Sequence, residues 1–295
     1  MGFLERLQIT YDGETQTLSD TGFVTLTGDN GYGSLTVYGQ NNATNPGEWD
    51  YSADANMSNV SGQAVSFTAT ITDADSDVDS DTFNITITDG EGPGAPEPAT
   101  LNLVEDDLLG TTAESTDDTG SALSFTLGSD NLASIVFNGT VGSITGGYDD
   151  GTITWLTSNN GLTLTGTVST DSAASITLNI TGIDLTTGAF KVDVKMTDEF
   201  THTAPSSGAD INNFVITNIE VIGTDIDGDP ATANINVEVT DDVPTISITG
   251  GDTSVTEGAS ITNGTWTQHE GADGATTEIT YDGETQTLSD TGFVT

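Results

Sequence analysis

Apolar and polar residues alternate with a period of two along much of this chain. Gly33–Tyr38 (GSLTVY), Ala64–Ile71 (AVSFTATI), Thr82–Thr88 (TFNITIT), Gly161–Val168 (GLTLTGTV), Ser175–Ile180 (SITLNI), Phe190–Met196 (FKVDVKM) and Ala233–Thr240 (ANINVEVT) all read this way. Successive side chains of an extended strand point to opposite faces, so the pattern predicts half-buried β-strands. Clusters of Gly, Asn and Asp separate the runs at turn-like intervals. No stretch carries helical periodicity, and 35 glycines suit a turn-rich chain. The fold class predicted is all-β, built of tandem immunoglobulin-like β-sandwich domains.

A long repeat supports the tandem reading. Ile9–Thr25 (ITYDGETQTLSDTGFVT) recurs letter for letter as Ile279–Thr295, a shift of 270 residues from position 9 to position 279. Identity over such a length implies an array with that period. The expected division is a sandwich over 1–92 whose first strand is missing, a linker over 93–98, a larger sandwich over 99–243, and the start of the next immunoglobulin-like repeat over 244–295. Pro93, Pro96 and Pro98 stiffen the first junction and Pro244 the second. The strand expected to open the first sandwich has its counterpart in Ile261–Gln268 (ITNGTWTQ). Residues 257–295 of one molecule are therefore a candidate for completing the first domain of another, head to tail. The plainer alternative is that this end frays.

Charge changes the picture. The chain has 46 acidic residues, 3 basic ones and no cysteine, for a net charge of −43. Such a surface argues against nucleic acid and anionic membranes as partners. No apolar run approaches the length of a bilayer span, so no membrane insertion is expected. Met1–Gln8 (MGFLERLQ) lacks the apolar core of a signal peptide. Hydrophobic content is only 34%, and no disulfide is available, so a ligand that binds the folded state has much to contribute to stability.

The acids themselves suggest that ligand. Asp73, Asp75, Asp77, Asp89 and Glu105 recur as Asp225, Asp227, Asp229, Asp241 and Glu257, an offset of 152 residues from Asp73 to Asp225. Crowded carboxylates repel one another unless a cation sits among them. Oxygen-only ligands in a flexible geometry suit Ca²⁺. Glu91, Asp106 and Asp242 are further candidate ligands beside these. In each copy the Asp-x-Asp-x-Asp loop precedes a strand that ends at Asp89 or Asp241, and a Glu opens the next domain. The expectation is that loop, strand end and Glu meet at one pole of a sandwich, placing calcium at the domain junctions. The alternative is that these are solvated turns, which Asp and Gly favour. The helix-loop-helix calcium motif is excluded, because no flanking helices are visible.

Other chemistry finds little support. His202 and His269 are too few and too far apart in sequence to suggest a zinc site, and no nucleophile-elbow signal accompanies them. Carboxylate pairs are too common here to indicate glycoside hydrolysis, so no enzyme is expected. Trp49, Trp155 and Trp266 are expected to fill cores. Asp29-Asn30-Gly31 and Asp149-Asp150-Gly151 are expected to be hairpin turns, and the Thr-x-Thr pairs ordinary strand residues.

Several segments resemble a known family. Leu103–Asp107 (LVEDD), Leu132–Phe137 (LASIVF), Ile153–Trp155 (ITW), Gly161–Gly166 (GLTLTG) and Gly223–Pro244 (GTDIDGDPATANINVEVTDDVP) look like the large sandwich repeat of giant type I-secreted RTX adhesins. Gly264–Trp266 (GTW), Gly271–Gly274 (GADG), Asp73–Asp77 and Thr86–Gly90 (TITDG) are similar to its smaller immunoglobulin-like companion. The resemblance covers roughly residues 9 to 278. It implies calcium-rigidified extender domains, repeated between a cell-surface anchor and a ligand-binding tip in Gram-negative bacteria. On that reading the chain is extracellular, its partners are neighbouring repeats of the same protein, and its role is spacing an adhesive tip in attachment or biofilm formation. The alternative is a carbohydrate- or peptide-binding module of such an adhesin. Two features depart from the family: Ser76 stands where Asp-Gly-Asp is usual, and the nonapeptide calcium-roll repeats are absent.

Overall fold

The computed structural model describes residues 6–29, 31–57, 62–109, 114–120, 122–149, 151–170, 174–202, 213–251, 253–260, 264–272 and 274–288. Among them the chain is all-β, with several antiparallel sheets and only two short 3₁₀ turns, Glu105–Leu109 and Asn159–Gly161. Two compact units emerge. The first takes residues 1–94 with the segments 126–133 and 224–231; the second takes 95–125, 134–223 and 232–295. The first division falls within the proline-containing stretch 93–98. The two later segments of the first unit have no counterpart in a division by contiguous ranges.

The first unit carries β1 (Arg6–Tyr11), β2 (Glu14–Leu18), β3 (Phe23–Leu26), β4 (Gly33–Tyr38), β5 (Trp49–Ala53), β6 (Gln63–Thr72) and β7 (Val78–Ile87). They form a sheet in the order β2-β1-β6-β7 and another in the order β3-β4-β5. Alternation on the strands gives one core cluster drawn from both sheets: Ile9, Tyr11 and Phe67 from one, Leu26, Leu35 and Val37 from the other. The outer faces carry many cross-strand threonines that pair through their hydroxyls, as in Thr68–Thr82 at 2.9 Å, although Phe23 lies there against Tyr38. Edge strand β7 carries Asp79 and Asp81 outward, charges that discourage pairing with another chain.

The second unit contains β8 (Ala99–Val104), β9 (Ser115–Asp118), β10 (Leu123–Ser124), β11 (Leu132–Phe137), β12 (Ile144–Gly146), β13 (Ile153–Ser158), β14 (Thr163–Val168), β15 (Ser175–Asp184), β16 (Ala189–Met196), β17 (Phe214–Asp225), β18 (Pro230–Thr240), β19 (Thr245–Thr249), β20 (Thr265–His269), β21 (Glu278–Tyr281) and β22 (Glu284–Thr287), although the ends of β11, β17 and β18 reach into segments of the first. One sheet runs β10-β16-β15-β14-β13 with β9 on β16, and another runs β11-β17-β18-β8 with β12 on β17. The β18–β8 pair is parallel, with Val239 beside Leu103 and Thr240 beside Val104. Strands β14 to β18 bury nearly every second residue completely.

Three findings differ from the sequence expectation or fall outside it. The tryptophans are not core residues: Trp49 and Trp266 are 39% and 41% exposed, and Trp155 lies half-buried over Gly166. Trp49 instead packs, partly exposed, against Phe67 and Phe83, at ring separations of 5.2 and 4.9 Å. Residues 30 and 150, the centres of two expected turns, lie outside the described residues. Finally, the repeated sequence forms the same hairpin twice. Ile9 pairs with Gln16 and Ile279 with Gln286, around Asp-Gly turns whose residues all have positive φ: 46° and 80° at Asp12-Gly13, 48° and 84° at Asp282-Gly283. Both central positions of a type I′ turn need that conformation, which Asp-Gly readily adopts.

Candidate metal centres

Two hairpin loops carry the Asp-x-Asp-x-Asp runs, 73–77 between β6 and β7 and 225–229 between β17 and β18. They are built alike. The Asp73 N–H donates to the Asp77 carbonyl and the Asp225 N–H to the Asp229 carbonyl, both at 3.1 Å. The Asp73 carboxylate accepts from the N–H groups of Asp75 and Asp77, and that of Asp225 from Gly228 and Asp229, at 2.8–3.2 Å. In the fourth position Gly228 has φ 106° and Ser76 has φ 78°. The missing glycine of the first loop thus leaves its closure intact while forcing a serine into the left-handed region.

Their surroundings differ. Asp73, Asp75 and Asp77 form an exposed group on their own. Asp225 is 3% exposed, and Asp227 belongs both to the Asp225–Asp229 group and to a second group with Asp89 and Asp130. Asp89 and Asp130 come together because the segment after β7 runs antiparallel to residues 126–130. Gly94 bridges Thr126, and the Ser129 N–H donates to the Glu91 carbonyl at 3.0 Å. A side chain at 128 would prevent this approach, since a Cβ there would lie 1.6 Å from the Glu91 carbonyl oxygen. Loop 225–229 abuts the same segment, a Cβ at Gly92 meeting that of Asp229 at 3.0 Å.

The sequence pattern located these carboxylates but not their grouping. Asp73–Asp77 and Asp89 lie at opposite ends of β7, whose ten residues span about 33 Å at the usual rise. They do not meet, and neither do Asp225–Asp229 and Asp241, across the eleven residues of β18. The strand-end Asp of the first copy joins the loop of the second instead. Glu91 and Glu257 are exposed and belong to none of the groups. Asp130, which no pattern announced, is the buried member of the group with Asp89 and Asp227.

This group has oxygen atoms without partners. Ser129 Oγ donates to Asp130 Oδ2 at 2.7 Å, but Asp130 Oδ1 and Asp227 Oδ1 are buried and accept no hydrogen bond. Buried carboxylate oxygens are costly in that condition. Hydrogen bonding to Asp225, then burial, then Asp89 push the Asp227 carboxyl up to about 7. Burial also opposes the charge of Asp225, but hydrogen bonds from Asp227 and from the N–H groups of Asp229, Gly228 and Asp227 outweigh it and hold that carboxyl below its usual value. In the exposed loop, hydrogen bonds from Asp75 and the Asp77 N–H lower Asp73. An oxygen-only set with orphaned acceptors, and one carboxylate common to two groups, fits a hard divalent cation with flexible coordination.

Two further groups lie in the second unit, and the parallel β8–β18 pair explains both. Continuing its register past Val104 and Thr240 sets Glu105 beside Asp241 and Asp106 beside Asp242. Glu105 and Asp241 gather with His202, Asp106 and Asp242 with His269. Glu105 is fully buried; its Oε1 accepts from the Phe200 N–H at 2.9 Å and lies 3.1 Å from His202 Nε2. The second group is more open. His269 Nε2 lies 3.0 Å from both oxygens of Asp242 and 3.5 Å from Asp106. The two histidines are far apart in sequence, as expected, yet each meets a carboxylate pair. The only sequence signal for this was that Glu105-Asp106 and Asp241-Asp242 are both consecutive acids at strand ends.

No protein-family model matches this chain, and no curated protein matches it in sequence.

Proposed function

We propose that this chain is a calcium-stiffened structural segment of a bacterial surface adhesin, a set of tandem immunoglobulin-like β-sandwiches that spaces an adhesive tip from a Gram-negative cell. Its partners on this reading are neighbouring repeats of the same protein. The observation that carries the proposal is the convergence of an exposed Asp89, a buried Asp130 and a half-buried Asp227, with two buried carboxylate oxygens lacking any hydrogen-bond donor. A chain with net charge −43 gains stability from any cation that binds only the folded form. The repeat of 17 residues, from Ile9–Thr25 to Ile279–Thr295, favours a spacer, whose units can be alike, over a binder that needs one special loop.

The test is thermal melting in EDTA, in Mg²⁺ and in Ca²⁺, with hydrogen exchange read by segment. Calcium should raise the melting temperature strongly and Mg²⁺ weakly, since Mg²⁺ demands tighter octahedral geometry. Exchange should slow most at 89–94, 126–130 and 225–229. A melting temperature indifferent to EDTA would sink the proposal. One observation favours a second reading, a glycan-binding module: Trp49 and Phe83 form an exposed aromatic pair. Loss of oligosaccharide binding in Trp49→Ala would favour that reading over the spacer.

A further inference from the structure

We infer that Glu105, His202 and Asp241 form a site for a borderline first-row divalent cation of the zinc class, distinct from the calcium proposed at the oxygen-only group and not dependent on it. Their ligand atoms all lie within 4.8 Å of one another. Three features carry the inference. The first is the donor set. Imidazole nitrogen suits zinc-class ions, whereas calcium takes oxygen ligands. The separation of 3.1 Å between His202 Nε2 and Glu105 Oε1 is that of two ligands each about 2 Å from a shared ion.

The second feature is an unmet acceptor. Glu105 has no exposed surface, Oε1 is occupied by the Phe200 N–H, and Oε2 accepts no hydrogen bond. The third is charge. A divalent cation with neutral imidazole and both carboxylates balances to zero.

The strand pairing makes the site rigid. Glu105 and Asp241 follow directly on hydrogen-bonded parallel strands. His202 is held by its bridge to Tyr148 and by packing against the Phe214 ring at 5.5 Å. The group Asp106–Asp242–His269 has similar donors, but the Asp106 and His269 side chains are 63% and 39% exposed, which makes it a control.

The full chain, stripped of metal and dialysed into millimolar Ca²⁺, is titrated with Zn²⁺ against a chromophoric chelator. One equivalent should bind tightly with calcium present. His202→Gln should weaken it on the order of a hundredfold or more, since even the partners that orient a ligand cost ten- to a hundredfold. His269→Gln should leave it in place. In case His202→Gln does not fold, wild-type protein loaded with Co²⁺ is read by proton NMR. One paramagnetically shifted, exchangeable imidazole N–H is expected, from the ring nitrogen not bound to metal. Displacement of zinc by millimolar calcium, unchanged zinc affinity in folded His202→Gln, or a cobalt spectrum without such a resonance would each overturn the inference. Calcium-dependent melting of the His202→Gln protein reports on the calcium proposal separately.

Discussion

Asp227 belongs to two carboxylate groups at once, and its chemistry follows from that position. The hydrogen bond to Asp225, burial and the neighbouring Asp89 hold its carboxyl at about 7 rather than near 4. A carboxyl whose folded pKa is raised binds more protons folded than unfolded, so stability falls as pH rises from about 4 to about 7. The metal-free protein should accordingly lose stability through that window, followed by urea melts at successive pH values. Calcium should abolish the slope, because the ion displaces the shared proton. Asp227→Asn should flatten the metal-free profile and remove most of the calcium response. A metal-free profile that rises between pH 4 and 7 would contradict this account. Ser76 and Gly228 offer a second test at this scale. Gly228→Ser should cost about 1–2 kcal/mol, as no neighbour lies within 4 Å and only the backbone resists. Ser76→Gly should stabilise by under about 1 kcal/mol, because relief of strain is offset by glycine's greater chain entropy.

At the scale of elements, much of the fold was legible and the pairing was not. Seven alternating runs correspond to β4, β6, β7, β14, β15, β16 and β18, because a half-buried strand writes its two faces directly into the chain. Strand β17 lacks a continuous alternation for a physical reason. Its buried positions run Phe214 and Ile216, then Ile219, Val221 and Asp225, with the phase slipping at Asn218, which has φ 53°. A bulge adds one residue and moves the alternation to the other face. The carboxylates were visible by spacing, but which ones meet depends on strand direction and on the run of segment 89–94, where no local pattern speaks. Asp130 and His202 are single residues in unremarkable surroundings, brought in by tertiary structure alone. That segment also supplies a prediction. Gly128→Ala should force the Glu91 backbone away, at a cost on the order of 3 kcal/mol, and should weaken the calcium response by parting Asp89 from Asp130. A calcium titration followed by melting temperature checks both effects.

Over the whole molecule, 46 acidic residues face 3 basic ones, and each cation makes a local contact: Lys195 pairs with Glu114, Lys191 reaches the Gly120 carbonyl and Arg6 the Thr17 hydroxyl. Self-repulsion then opposes the compact state, over a range set by the screening length, about 10 Å at 0.1 M salt and 3 Å at 1 M. In EDTA, raising NaCl across that range should raise the melting temperature steadily; in millimolar calcium the same salt series should have a smaller effect. Equal salt responses would mean that the ion neutralises little of the charge that matters. The duplicated hairpin bears on the molecule in another way. Identical letters and identical pairing leave Tyr11 2% exposed and Tyr281 82% exposed. An antibody raised against the peptide Ile9–Leu18 and requiring its tyrosine would therefore count one epitope on the native chain and two on the denatured one. Its stoichiometry would be a direct gauge of whether the first unit is folded.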